Sequence, residues 1–146
     1  MNNDKFVIAD ADILISLYNP DDINHLVVTD RTQKITDSVC KIKFPNTAIL
    51  EATTSLRRMA NKPEIARLIN QKYLNGEFNI VYVDETIQKL ASEIFAQEKS
   101  KKNTIFDALV LATAKTLKAA GIFSFDSWYK KQGFKALARE LVPELG

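Results

Sequence analysis

Apolar positions along this chain alternate between two patterns: short unbroken runs, and longer stretches where they recur every three or four residues. Runs of the first kind read as strands buried on both faces, and stretches of the second kind as helices with one buried stripe. Residues 5–9 form such a strand around Phe6-Val7-Ile8, and a helix is expected over 11–18 with Ile13, Leu14 and Leu17 on one side. Asn19-Pro20-Asp21-Asp22 ends it, because proline disfavours helix at the preceding residue. Ile23, Leu26, Val27, Ile35 and Val39 predict a helix over 23–40, and Lys41-Ile42-Lys43-Phe44 alternates as a short strand. After the Pro45-Asn46 break, Asn46 or Thr47 can cap a helix over about 48–60, with Glu51 in its first turn and Arg57-Arg58 on a different face.

A further helix is expected over about 64–75, started by Pro63 and stopped by Asn75-Gly76. Phe78 to Val83 reads as a strand, Asp84 as the cap of a helix over 85–98, and Gln97 to Asn103 as a polar, basic connection. Residues 104–120 are apolar almost all round except for Asp107, the mark of a helix buried in the middle of a fold, ended by Gly121. Ile122-Phe123-Ser124-Phe125 is another short strand; a short helix to Leu141 and an edge strand at Leu141-Val142-Pro143 close the chain. Strands alternating with helices predict an α/β fold with a mostly parallel sheet of four or five strands, covered on both faces.

Composition narrows the chemistry more than the fold. The chain has 146 residues, 46% hydrophobic and 26% charged, the size and mix of one globular domain. One cysteine, Cys40, and one histidine, His25, rule out an internal disulfide, a cysteine cluster and a multi-histidine metal site, and suit a cytoplasmic protein. No signal peptide or membrane span is expected from the apolar runs.

Four acids stand out by context. Asp10 and Asp126 follow apolar strands, and Glu51 and Asp107 lie early in helices whose remaining residues are mostly apolar. Each has an ordinary explanation: a cap for Asp10, a turn for Asp126, a helix-dipole partner for Glu51, a capping arrangement with Thr104 for Asp107. Together they need a shared counter-charge, and with no histidine or cysteine cluster the ligands are all oxygens, which suits Mg²⁺ or Mn²⁺. Net charge is +2, from 20 basic and 18 acidic side chains; setting these four acids aside leaves 20 against 14. Asp12, two residues after Asp10, is a supporting acid.

These segments resemble a family. Val7-Ile8-Ala9-Asp10-Ala11-Asp12-Ile13-Leu14 looks like the opening motif of PIN domains, Thr47-Ala48-Ile49-Leu50-Glu51-Ala52 like their central helix, Phe106-Asp107-Ala108-Leu109-Val110-Leu111-Ala112-Thr113-Ala114 like their Asp-Ala segment, and Ser124-Phe125-Asp126 like their closing motif. The resemblance covers essentially the whole chain, 1–146, as one domain. It departs at Asp12, where many members carry Asn or Ser. It implies a three-layer fold and a Mg²⁺- or Mn²⁺-dependent nuclease acting on RNA, with Asp10, Glu51, Asp107 and Asp126 as catalytic and metal-holding acids and Ser124 as the hydroxyl. Small members of this kind are commonly VapC-type toxins, so a homodimer and a cognate antitoxin are implied partners.

For the RNA, Arg57, Arg58, Lys99, Lys101, Lys102, Lys130, Lys131 and Lys135 are the basic residues expected along the approach, Arg57, Arg58, Lys130 and Lys131 foremost as phosphate contacts, with Trp128 and Tyr129 as stacking surfaces and Phe134 expected to pack on the sheet. Two other readings remain open. Asp10-Ala11-Asp12 also resembles the first motif of haloacid-dehalogenase-type phosphatases, with Asp10 as nucleophile. Alternatively, the fold serves as a non-catalytic binding module.

Overall fold

The structure, a computed structural model, describes residues 4–138. Four strands, β1 (Phe6–Ala9), β2 (Lys41–Pro45), β3 (Asn79–Val81) and β4 (Gly121–Phe123), form one parallel sheet in the order β3-β2-β1-β4. Val7 pairs with Ile42 and Ile8 with Ile122. Side chains alternate across the central strand: Val7 and Ala9 enter one apolar cluster and Ile8 the other. The first cluster takes its helical residues from α1 (Ala11–Tyr18), α2 (His25–Asp37), α3 (Asn46–Arg58) and α4 (Pro63–Leu74); the opposite face is covered by α6 (Ile105–Leu117) and α7 (Trp128–Lys131), and α6 packs in turn on α5 (Glu85–Gln97). That is the expected three-layer α/β arrangement. A single parallel bridge between Ile122 and Ala136 adds the beginning of a neighbour to β4. The edge strand expected at Leu141-Val142-Pro143 lies outside the described residues.

Strand order places the functional edge. The chain steps from β1 to β2 to β3 in one direction, then returns to put β4 on the other side of β1. Strand order therefore reverses between β1 and β4, and in open α/β sheets ligands bind outside the carboxyl ends of the strands at such a point. Asp10 leaves β1 there, its backbone N–H donating to Phe123 O of β4 at 3.0 Å.

Several boundaries differ from the sequence pattern for tertiary reasons. α3 starts at Asn46, because Asn46 does not cap it: its Oδ1 accepts the N–H of Val83 at 2.8 Å and ties the helix start to the end of β3. Glu51 consequently falls in the second turn. Gly121 does not end α6; Lys118 does, in the left-handed conformation (φ 58°). Gly121 opens β4 instead, where a Cβ would meet Leu137 Cδ1 at 3.1 Å. Central burial of α6 is as expected, with Leu109 to Ala114 all buried, so Leu111→Ala is expected to cost about 2–5 kcal/mol.

Candidate active site

The carboxyl edge of β1 and β4 opens into a cleft of about 320 Å³ lined by Asp10, Asp12, Glu51, Asp107 and Asp126, with Lys102, Thr104 and Ser55 among its other walls. Four separate pieces of the chain meet there. β1 and the start of α1 supply Asp10 and Asp12, α3 supplies Glu51, and the α6 start and the turn after β4 supply Asp107 and Asp126. Contact between α3 and α6 brings their two acids to the same opening.

Most of these acids are also built into the framework. Asp10 caps α1, its Oδ1 accepting from Ala11 N–H at 2.7 Å, while its Oδ2 accepts from the Tyr129 hydroxyl at 2.7 Å. Asp107 completes a capping box with Thr104, accepting its N–H at 2.9 Å. Asp126 accepts from Trp128 N–H at 2.9 Å and from Asn103 Nδ2 at 3.3 Å. Asp12 Oδ2 accepts from Phe125 N–H at 2.9 Å and Ser124 Oγ at 3.1 Å, whereas its Oδ1 is buried with no partner among the described residues. Ser124 is fully buried behind these acids and accepts from Asp126 N–H at 3.1 Å. Glu51 has no hydrogen-bonding partner among the described residues.

None of the five acids forms an ion pair within the described residues. Their protonation reflects this. Burial, then the charges of Asp12 and Asp107, hold the Asp10 carboxyl well above the usual range, against the lowering pull of the Tyr129 hydroxyl. Burial raises Asp12 to about 6, and burial together with Asp107 and Asp12 raises Glu51 to about 7. Asp107 is raised as well, mainly by burial. Acids without an ion-pair partner among the described residues, four of them raised by burial and mutual charge, make this cleft the candidate functional site.

The donor set fits a hard divalent cation: all oxygens, each mutually repelling, with one buried carboxylate oxygen lacking any donor. Among the described residues no three acids already close on one point as a ready cage; they line walls.

The basic and aromatic residues are distributed differently from expectation. Lys102 is the cation that lines the acidic cleft. Arg57 lines a separate cavity of about 330 Å³ with Arg67, Asn70, Thr53 and Thr54, between α3 and α4. Arg58 is seven residues, nearly two turns, from Glu51, so it projects on Glu51's side of α3 and not on a different face. Lys130 and Lys131 are exposed on α7. Trp128 and Tyr129 are 8% and 0% exposed, packed edge to face at 5.2 Å, so neither is a base-stacking surface; Trp128 Nε1 donates to Glu98 at 2.8 Å. Phe134 is partly buried against the same cluster. Tyr129 is the site residue that sequence reasoning missed. A tyrosine three residues after Asp126 carries no local signal that its hydroxyl reaches Asp10.

The PIN-domain family model matches residues 7–135. The chain belongs to the PIN-domain family. Its fold is similar to that of chains in two solved structures. With Mycobacterium tuberculosis VapC20, described as a sarcin–ricin loop cleaving toxin, it shares 17% identity and a TM-score of 0.73, over 88% of this chain and 96% of that one. With a chain of a toxin–antitoxin complex from Klebsiella pneumoniae it shares 15% identity and a TM-score of 0.57, over 84% of this chain and 88% of that one. No curated protein matches it in sequence. No helix of the described residues in this PIN domain is long and apolar enough to cross a membrane.

Proposed function

We propose that this chain is a Mg²⁺- or Mn²⁺-dependent endoribonuclease that hydrolyses RNA phosphodiester bonds, the toxin of a toxin–antitoxin pair acting in the cytoplasm as a homodimer. The observation that carries this reading is the cleft at the β1/β4 switch point, where five carboxylates converge without an ion-pair partner. PIN membership and the described sarcin–ricin loop cleavage by VapC20 support the RNA-cleaving class, and the Klebsiella toxin–antitoxin complex supports an antitoxin partner.

Asp10, Glu51, Asp107 and Asp126 are the residues that would hold the cation. When bound, such an ion supplies an acidified water and positive charge for the phosphate oxygens. The chain's own groups set the geometry. Tyr129 and the Ala11 N–H fix both oxygens of Asp10, Ser124 orients Asp12, and Asn103 orients Asp126. Lys102, beside the acids, neutralises a phosphate of the bound strand, and the Arg57–Arg67 cavity takes a more distant one. No cysteine lines the cleft and His25 is engaged with Ser16 O at 2.7 Å, so no thiol- or hydroxyl-based nucleophile is assembled. Using Asp10 as a phosphatase nucleophile leaves Glu51 and Asp107 without a role.

Asp10→Asn and Asp107→Asn test the reading. Each should abolish Mg²⁺-dependent cleavage of RNA while the circular-dichroism spectrum stays that of the parent. Full cleavage by either purified variant overturns it, and a wild-type chain that neither cleaves RNA nor binds Mn²⁺ points to a binding module.

A further inference from the structure

We infer that Asp12 is a direct ligand of the divalent cation, a fifth carboxylate beside the four marked by the sequence motifs. The inference rests on the proposed metal-dependent function and extends it to a residue beyond the four acids that would hold the cation.

The two oxygens of Asp12 have different surroundings. Oδ2 accepts twice, from Phe125 N–H at 2.9 Å and from Ser124 Oγ at 3.1 Å, both on the segment that leaves β4. Those two bonds fill the lone pairs of Oδ2 and fix the carboxylate plane. Oδ1 is buried and has no donor among the described residues, although Asp12 lines the cleft with Asp10, Glu51, Asp107 and Asp126. A buried acceptor without a partner is unfavourable and calls for an explanation.

A purely structural role accounts for Oδ2 alone. An asparagine carbonyl would accept the same two bonds without adding a charge two residues from Asp10. The second negative charge gains from the N-terminus of α1, in whose first turn it lies, but the acids around it increase its cost. A hard cation resolves both difficulties at once: it takes the free lone pairs of Oδ1 and offsets the added charge. The anchoring of Oδ2 also holds Oδ1 in place before a cation arrives. Asp10 is anchored too, its Oδ2 accepting from Tyr129 at 2.7 Å and from Ser124 Oγ at 3.4 Å and its Oδ1 from Ala11 N–H alone.

The test uses the full chain stripped of metal and titrated with Mn²⁺, with free ion counted by electron paramagnetic resonance. Asp12→Asn keeps an acceptor for Phe125 and Ser124, and should weaken Mn²⁺ binding by about 10-fold or more. Loss of an orienting residue also weakens metal sites by about 10- to 100-fold, so a second variant separates ligand from support. Asp12→Cys, folded by circular dichroism, should bind Cd²⁺ with a thiolate-to-cadmium charge-transfer band that the wild type, with Cys40 buried elsewhere, lacks. Wild-type Mn²⁺ affinity in Asp12→Asn overturns the inference and leaves the proposed function standing. Weakened binding without the cadmium band in Asp12→Cys also overturns it, reducing Asp12 to a positioning residue. A wild-type chain that binds no Mn²⁺ removes the metal-dependent function itself.

Discussion

Replacing Glu51 with glutamine is expected to stabilise the metal-free protein at alkaline pH while removing activity. In the folded chain, burial and then the charges of Asp107 and Asp12 push the Glu51 carboxyl from 4.5 to about 7. The folded state thus holds the proton more tightly than the unfolded chain does between those two values, so wild-type stability falls as pH rises through that window. Below about 4.5 the group is protonated in both states and the substitution is neutral; above about 7 the whole penalty is present. At about 1.4 kcal/mol per pH unit the full difference is about 3 kcal/mol. Glu51 is only partly buried, and solvent screening reduces the expected gain to the order of 1–2 kcal/mol. For a chain near this length that raises Tm by about 2–8 °C. Thermal unfolding in EDTA at pH 4 and pH 8 reads it directly. Adding Mn²⁺ at pH 8 should then stabilise the wild type more than the variant, because ligand binding to the folded state adds stability by linkage. A Glu51→Gln protein no more stable than wild type at pH 8, or equally stabilised at pH 4, refutes the reasoning.

Tyr129→Phe removes the donor to Asp10 and leaves the ring packed on Trp128; an intramolecular hydrogen bond contributes about 0.5–1.5 kcal/mol, so urea unfolding should show a loss of about 1 kcal/mol. The deleted bond pulls the Asp10 carboxyl down, so its pKa should rise further in the variant, and single-turnover cleavage should slow with KM unchanged. Arg57→Glu combined with Arg67→Glu should weaken RNA binding without changing Mn²⁺ affinity, and should reduce the salt slope of log K by about 0.7 for each single-strand phosphate that is no longer neutralised; fluorescence anisotropy across a salt series checks it.

Those residues also show which features the sequence made legible. The buried strand before Asp10, the apolar α6 and the strand before Asp126 are read from local pattern, because burial on all sides leaves no polar periodicity to confuse. The start of α3 was not legible: Asn46 is a good capping residue by type, but Val83, 37 positions away, claims its side chain. Gly121 looked like a helix stop, yet it opens β4 where a Cβ would crowd Leu137 Cδ1 at 3.1 Å. Tyr129 and Oδ2 of Asp12 depend on pairings that span more than 100 residues, which no spacing rule reaches. Arg58 was legible and misjudged: seven residues is nearly two turns, which returns it to the side of Glu51.

The ordinary and the functional explanations of these acids turn out not to compete. Asp10 is a helix cap, Asp107 half of a capping box and Asp126 a turn residue, and all three line the cleft. A carboxylate has about four lone-pair sites, and a cap uses one or two. Using framework bonds to anchor an acid lets the chain hold repelling charges in fixed positions that a flexible side chain would vacate. Truncation to alanine is therefore a poor probe here, since losing a cap alone costs about 0.5–2 kcal/mol and mixes unfolding with lost chemistry. The amides keep an acceptor for the cap and remove the charge, so in Asp107→Asn the Thr104 N–H keeps its partner. If the acids act together on one cation, the amide variants should match or exceed wild type in metal-free stability at pH 8 and still fail to cleave. That pairing of gained stability with lost activity is what a cluster of clefted charges requires, and what a set of mere caps would not produce.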